Sequence, residues 1–482
     1  MTIDNTNSQK SKVESQRFKI ILEDILKERQ RKLKNLREAG LNPYPSKIKR
    51  TILIGEALKN FNKLQTIKKR VFIVGRIKAL RDQGNLIFID LWDESGKIQV
   101  VFKKDNLNNF KILKQNLDIG DFLAISGPLF KTKKGEKSIE AKTAQIIVKS
   151  LRPLPTQWYG LKDIEERYRK RYLDIILNTE VKEKLIIRSK IIELLRSNLA
   201  KEGFIEVETP ILQPLPGGAL ARPFMTHHNA LNCDFYLRIA PELYLKRLLV
   251  AGFEKIFEIG RVFRNEGIDR DHNPEFTMLE LYWAYEDWQG LMKFIEKLLK
   301  QIIISLKKFN LTTSDVVNDI AKSKWQIITY SEAIKKYAHK EIEKLNSEEI
   351  DEVFKKEVRP KIIKPTFVIR YPKIISPLAK SCEDNPNLTE RFQLIVDGME
   401  IVNGFSELND PIDQRQRMEE QERKYRAGDK EASRLDEDFL EALEYGMPPA
   451  AGLGIGIDRL VVLITKSHNI KEIIAFPTLK PK

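Results

Sequence analysis

The chain has 482 residues, 42% apolar and 32% charged, too rich in core formers for a disordered protein and too charged for a membrane-spanning one. Its net charge of +16 sits wholly in residues 1–150, which hold 32 basic and 16 acidic side chains, while residues 151–482 hold 52 of each. That split reads as a polyanion-gripping module ahead of a larger neutral one, the plain alternative being a solvated lysine-rich surface.

Residues 1–65 read as an N-terminal tail and helical extension. Residues 1–16 show no apolar pattern and are expected to be disordered. From Arg17 to Gly40, Ile20, Ile21, Leu22, Ile25, Leu26, Leu33 and Leu36 recur at helical spacing, and Gly40, Pro43 and Pro45 end the helix. Residues 66–150 switch to five β-rich runs (VFIVGRI, NLIFIDLWD, KIQVVF, FLAISGPLF and 138–148), the pattern of a small closed barrel of the OB type. Residues 151–180, opening on LRPLP, read as a linker. In 181–482 a helix is expected over 181–202, with Leu185, Ile187, Ile191, Leu194, Leu195 and Leu199 as its stripe and Gly203 as its stop. Beyond it, strands and helices mix without βαβ alternation, which predicts an α+β domain on a mainly antiparallel sheet flanked by helices.

The longest apolar runs, such as Leu460–Thr465, fall far short of about 18 residues, so no membrane span is expected. The polar start, MTIDNTNSQK, argues against a presequence. The two cysteines, Cys233 and Cys382, give no disulfide framework and fit a reducing, cytoplasmic setting.

Three constellations carry chemistry. Residues 256–284 read as strand, polar loop and strand, with Arg264, Glu266, Arg270 and His272 in the loop. Phe276, Met278, Glu280 and Tyr282 share one face of the second strand. Arg264 can clamp a carboxylate or a phosphate, and Glu280 among apolar neighbours needs a partner. In AGLGIGIDR (451–459), Gly452, Gly454 and Gly456 leave one strand face bare, enough for a planar ring, and Arg459 follows at a strand-to-helix junction. In 391–409, Asn403, Phe405 and Glu407 share a face, with Glu400 seven residues before Glu407. Two carboxylates beside phosphates suit magnesium. Each feature also has a structural explanation: an internally paired hairpin, a close strand–helix contact and a wet edge strand.

Together they resemble a known family. GFIEVETP (203–210), FRNEG with HNPEFTMLE (263–280) and GLGIGIDR (452–459) resemble motifs 1, 2 and 3 of the class II aminoacyl-tRNA synthetases. LPGGALARPFMTHHNALNCDFYLRIAPELYLKRL (215–248) and GFSELNDPIDQ (404–414) are similar to the lysyl-tRNA synthetases of class IIb, from about Glu28 to the C-terminus. The resemblance implies an anticodon-binding OB domain followed by a class II catalytic domain.

It also implies residue roles. The lysine α-amino group would meet Gly218, Glu242 and Glu280; Arg264 and Asn403 would take its carboxylate. Phe405 would line its stem, and Glu407 with Tyr282 would hold the ε-ammonium. ATP would meet Arg264 and Arg459 at its phosphates, Phe276 and Arg459 at its adenine, and Glu266, His272 and Asn273 around it. Magnesium would sit on Glu400 with Gln393, where Gln393 replaces a carboxylate common among relatives. Arg76, Phe88 and Gln99 would read the anticodon, while Thr143 stands where a glutamate often does.

The implied reaction is ATP-dependent activation of L-lysine and its transfer to the 3′ end of tRNA(Lys), catalysed by Arg264, Arg459 and Mg2+ in a homodimer formed through motif 1. Lysyl transfer to a protein acceptor and a non-catalytic RNA-binding role are the alternatives. The barrel argues against the first, and the two arginines against the second.

Overall fold

The computed structural model describes residues 4–155, 163–309, 311, 320–429 and 431–481. It divides into two compact units, Met1–Gly160 and Leu161–Lys482.

In the first unit a single helix runs from Asp4 to Glu38. The expectation of disorder over 1–16 is therefore corrected from Asp4 onward; no proline or glycine interrupts this stretch, so nothing breaks the helix before Gly40. Residues 1–3 lie outside the described residues. Leu36 is fully buried, whereas Ile20 and Ile21 stay exposed. Arg29 ties the helix down through the carbonyls of Ile119 (3.1 Å), Ser150 (2.8 Å) and Arg152 (3.2 Å). Nearby, the buried Lys149 ammonium sits 2.5 Å from Asp118 and 2.7 Å from Asp121.

The strands of this unit are β1 (Val71–Gln83), β2 (Leu86–Asp93), β3 (Gly96–Lys103), β4 (Phe122–Gly127), β5 (Leu129–Lys131), β6 (Lys137–Glu140) and β7 (Thr143–Val148). They pair in the order β5-β6-β3-β2-β1-β4-β7. The five expected runs become seven strands because the fourth breaks at Pro128, which has no N–H to donate, and the fifth at Ala141 and Lys142. With each broken run taken as one bent strand, the pairing returns to its start: β4 pairs with β1 and β7, β5 with β6, and β6 with β3. At the bend a Cβ on Gly127 would stand 1.8 Å from the Glu140 carbonyl, so only glycine fits that crossing. Ile73, Ile77, Ile87, Ile89, Leu91, Val100 and Phe102 fill the interior.

Of the span read as linker, residues 156–162 lie outside the described residues. Residues 164–177 form two short helices, Ile164–Arg169 and Arg171–Leu177.

The second unit is built on an eight-stranded sheet. Its strands are β8 (Ile205–Glu206), β12 (Lys255–Phe263), β13 (Glu275–Ala284), β14 (Gln326–Thr329), β15 (Thr366–Ile369), β16 (Arg391–Val396), β17 (Met399–Ser406) and β18 (Ala450–Gly456). Between β8 and β12, β9 (Leu212–Gln213), β10 (Phe224–His228) and β11 (Cys233–Leu237) make a small separate sheet. The large sheet runs β14-β15-β16-β17-β18-β13-β12-β8 and is antiparallel except at its two outermost pairs, β14–β15 and β12–β8. This is the α+β architecture expected from the absence of βαβ alternation.

One face is roofed by helices Thr179–Lys201, Trp288–Lys308 and Ile457–Thr465. In the Trp288–Lys308 helix Leu291, Ile295, Leu298, Ile302 and Leu306 point inward at helical spacing, each worth roughly 1.5–3 kcal/mol when fully buried. Asp287 caps its start by accepting from the Gly290 N–H at 2.8 Å. The roof takes Leu279 and Leu281 from β13, Leu453 and Ile455 from β18 and Val402 from β17. The opposite face is left to the residues between them.

Candidate active site

Period-two alternation on three adjacent strands assembles the site. On β13, the residues alternating with Leu279 and Leu281 are Phe276, Met278, Glu280 and Tyr282. Their partners on β18 are glycines: Met278 faces Gly456, Glu280 faces Gly454 and Tyr282 faces Gly452. On its other side β18 pairs with β17, Gly454 with Asn403 and Gly452 with Phe405. The glycine stripe thus gives each large side chain of β13 a bare neighbour. Gly452 is obligatory, because a Cβ there would stand 2.3 Å from Glu407 Oε1 and 2.5 Å from the Tyr282 ring. Gly454 has room, its nearest neighbour being Met278 Sδ at 3.6 Å.

Glu400 reaches this face by a device the sequence pattern hid. The β16–β17 register shifts between Leu394 and Ile395, so Ile401 and Val402 both enter the roofed core. That bulge resets the alternation and turns Glu400 to the side of Asn403. Without it, the seven-residue spacing to Glu407 would place the two carboxylates on opposite faces.

At one end lies a buried cluster of acids. Glu242, on the first turn of helix Glu242–Val250, is 6% exposed, Glu280 is 5% and Glu407 is 1%. Gly218, at φ +84°, packs against Glu242, and a Cβ there would sit 2.9 Å from Glu242 Cβ. The Tyr282 hydroxyl donates to Glu280 Oε2 at 3.1 Å. A fully buried cation, Lys246, inserts between the acids: its Nζ donates to Glu242 Oε1 at 2.7 Å and lies 2.5 Å from Glu407 Oε2. Glu407 Oε2 is thus ion-paired with Lys246, while its Oε1 is buried without a partner. The Phe405 ring lies beside the same ammonium, 5.4 Å from its centroid.

The ionisation pattern follows from burial. Burial pushes Glu407 up to about 8, with Lys246 pulling down and Glu242 pushing further up. Burial and then the Glu242 charge hold Glu280 well above the usual carboxylate range. Burial and the surrounding acids lift the Tyr282 phenol, which stays a neutral donor. Burial works against the Lys246 ammonium, but Glu242 and Glu407 outweigh it and raise its pKa.

The other end is cationic and more open. Arg264 follows β12; its guanidinium stacks 5.1 Å from the Phe276 ring centroid and its Nε donates to the Ile239 carbonyl at 3.4 Å. Burial lowers its pKa, with Glu266 opposing and Arg459 adding to the effect, yet a guanidinium keeps its charge. Arg459 donates to the Glu400 carbonyl at 3.3 Å and stands 3.4 Å from His272 Nε2. The other His272 nitrogen is paired with Asp269 at 2.8 Å. Glu266 is exposed in the connecting loop. Asn273 is buried and keeps Oδ1 without a partner, while its amide donates to the Glu275 carbonyl.

At the proposed metal corner, the Glu400 carboxylate lies 3.8 Å from Arg359. Gln393 is buried on the same side of the sheet, and its Oε1 accepts from the Tyr371 hydroxyl at 2.8 Å. Asn403 Oδ1 accepts from Arg391 at 2.9 Å.

Sequence reasoning missed the residues that hold this frame. Asp458 accepts from Arg188 (2.8 Å) and from the Thr277 N–H (2.7 Å), and Arg188 also donates to Thr277 Oγ1 (2.9 Å). That clamp fixes the helix start that carries Arg459. Lys246 was missed too, although Glu242 and Lys246 stand at the i,i+4 spacing of a helical ion pair in ELYLKRL.

In the first unit, Phe88 and Gln99 lie half-buried on outward positions of β2 and β3, and Arg76 on an outward position of β1. Arg76 stacks on Phe122 at 4.4 Å, and Lys78 lies over Trp92 at 4.3 Å. Gln99 Oε1 accepts from Ser138 at 3.0 Å, and Thr143 is exposed. Cations over aromatic rings on a strand face suit unpaired nucleic acid.

Comparison with known proteins agrees with this geometry. Residues 163–480 match the class II tRNA synthetases (D, K and N), and residues 71–154 match the OB-fold nucleic acid binding domain. The lysine–tRNA ligase of Moorella thermoacetica is 46% identical over 482 residues, covering 95% of this chain and 98% of its own. The lysine–tRNA ligase of Pelotomaculum thermopropionicum is 46% identical over 96% of both chains. That of Helicobacter hepaticus is 46% identical over 95% of this chain and 94% of its own.

Proposed function

The chain belongs to the class II tRNA synthetases of the D, K and N group, and on that footing we propose that it joins L-lysine to the 3′ end of tRNA(Lys), forming AMP and diphosphate from ATP. The observation that carries the choice of lysine is Glu407: a carboxylate 1% exposed, beside Phe405 and Tyr282, with Oε1 left without a partner and Oε2 sharing the Lys246 ammonium with Glu242. A buried carboxylate with one oxygen unpaired and its cation shared with a second acid is costly, and a substrate ammonium satisfies it.

In this reading Glu407 and Tyr282 hold the ε-ammonium, and Phe405 flanks the methylene stem. Glu242, Glu280 and the Gly218 carbonyl receive the α-ammonium. Arg264 and Asn403 take the carboxylate. The bare strip at Gly454 accepts the adenine between Phe276 and Arg459, and Asn273 with its free Oδ1, Glu266 and His272 complete the nucleotide site. The lysine carboxylate is already ionised at neutral pH, so it attacks the α-phosphorus without a general base, and diphosphate leaves. Arg264 and Arg459 lower the barrier by fixing the reactants in line and meeting the charge that develops on the phosphates. The tRNA 3′-hydroxyl then attacks the mixed anhydride, and AMP leaves.

Glu400 fits a magnesium ion held by one carboxylate together with nucleotide phosphates, which is this metal's preferred mode. When bound there, the ion supplies further neutralisation of phosphate charge. Gln393 adds an amide oxygen already engaged by Tyr371 and no charge.

Dimerisation through motif 1 is supported by a second face on the Thr179–Lys201 helix. Leu185 and Ile192 line a groove with Ala200 and Phe204, and Ile186 and Ile205 are 46% and 54% exposed. Among the described residues no helix is long and apolar enough to cross a membrane, and we place the activity in the cytoplasm with the rest of translation. Arg76, Phe88 and Gln99 receive the anticodon.

Pyrophosphate exchange with each of the twenty amino acids tests the reading. Exchange is expected with lysine alone; exchange with another amino acid and none with lysine overturns it.

A further inference from the structure

The residue that the reaction leaves unused is Lys246. It is fully buried, carried on helix Glu242–Val250, and held between the two carboxylates assigned to opposite ends of the substrate. The groups facing it are Glu242 from its own helix and Glu407 with the Phe405 ring from the end of β17, and Glu280 and Tyr282 from β13 act on Glu242 and Glu407 in turn. The neighbouring acid Glu258 is already matched by Arg238 at 2.5 Å and by the Thr209 hydroxyl at 2.7 Å, so it drops out of the balance. What remains is three carboxylates against one ammonium. Arg264, at the far side of Glu280, is reserved for the substrate carboxylate.

Resting on lysine as the substrate, we propose that Lys246 is a positioning residue that sets the charge class the pocket accepts. Its ammonium neutralises one of the three acids permanently and leaves two charges to be met by the two ammonium groups of an incoming dication. The filled pocket is then neutral, with the substrate carboxylate matched by Arg264. The same ammonium touches both Glu242 and Glu407, so it aims the two carboxylates before substrate arrives, which lowers the cost of ordering them on binding. A neutral amino acid fills only one of the two vacancies and leaves a buried charge uncompensated. Removal of the resident cation makes the lysine complex itself one positive charge short, and a carboxyl must then keep a proton.

The test is the dissociation constant of L-lysine between pH 6.5 and 8.5 for the full-length wild-type enzyme, Lys246→Met and Lys246→Arg, with ATP affinity as a control. Wild-type binding is expected to tighten with pH and level off. Lys246→Met is expected to bind lysine at least tenfold more weakly, with affinity still rising at pH 8.5 where the wild type has levelled off, because no ammonium then pulls the Glu407 carboxyl down, and with ATP affinity unchanged. Lys246→Arg, which keeps the charge, is expected to restore the wild-type slope. A Met variant with the wild-type affinity and profile overturns the inference, as does an Arg variant that behaves like Met. Calorimetry on the wild type in buffers of different ionisation enthalpy keeps the proposal falsifiable where variants fail to fold. Lysine binding at pH 7 must release protons, and norleucine must release fewer; no release overturns it. An enzyme that binds a neutral amino acid and no lysine overturns the substrate reading instead.

Discussion

The amino-acid pocket of the second unit and the outer strand face of the first both handle charge, and they do so in opposite ways. The pocket buries Glu242, Glu280 and Glu407 with one ammonium, out of reach of water and salt. The barrel face lays Arg76 and Lys78 over Phe122 and Trp92 at 4.4 and 4.3 Å, half in solvent. Desolvated charge discriminates, because a wrong partner leaves an ion unpaired. Half-solvated cations and rings grip many bases with similar strength, and their hold on a polyanion weakens with salt.

The largest expected effect is at Glu407. Glu407→Gln keeps shape but removes charge, and lysine affinity should fall by about 3–5 kcal/mol, roughly a hundred- to several-thousand-fold, with ATP affinity intact. Wild-type lysine KM in that variant would dissolve the contrast. Next is Phe88→Ala, where loss of one stacked base should cost about 1–3 kcal/mol of tRNA affinity and leave pyrophosphate exchange untouched. Equal damage to exchange would mean that Phe88 holds the barrel rather than the RNA.

Two glycines divide the pocket from its nucleotide neighbour. Gly452→Ala drives a methyl into Glu407 and Tyr282 and should cost about 1–3 kcal/mol of stability while raising lysine KM. Gly454→Ala meets nothing closer than 3.6 Å, so melting should be unchanged and ATP KM alone should rise. Thermal melts with the two KM values separate them.

The smallest effect is pH. With Glu407 held up to about 8 in the empty pocket, the free enzyme carries a proton that the lysine complex sheds. Lysine affinity should therefore rise with pH, by at most about tenfold per unit for one proton, and flatten near the pKa of Glu407. The barrel face should show no such slope for tRNA between pH 6 and 8, its response being to salt.

Much of this was readable from residue patterns. Period two on 276–282 and on 452–456 placed the site face, and the charge split placed the nucleic-acid unit. Other features stayed hidden for physical reasons. The bulge at Ile401 and Val402 leaves no mark in an apolar run, because both residues are core formers. Lys246 reads as an ordinary helical ion pair, since spacing says nothing of depth. Asp458 lies next to Arg459, and only the fold brings Arg188 to it from 270 positions away. The fourth and fifth β runs looked continuous because a bent strand keeps its composition. The tail from Asp4 looked disordered for want of an apolar stripe.

The bulge in β17 has one more consequence. It acts as a phase step: the strand is in one frame before Ile401 and in another after Val402. Deleting Ile401 alone would merge the frames: Glu400 would then stand directly before the roof-facing Val402, six residues from Glu407, and stay on the side of Asn403, Phe405 and Glu407. The bulge thus takes up a single odd residue without moving either carboxylate off the site face.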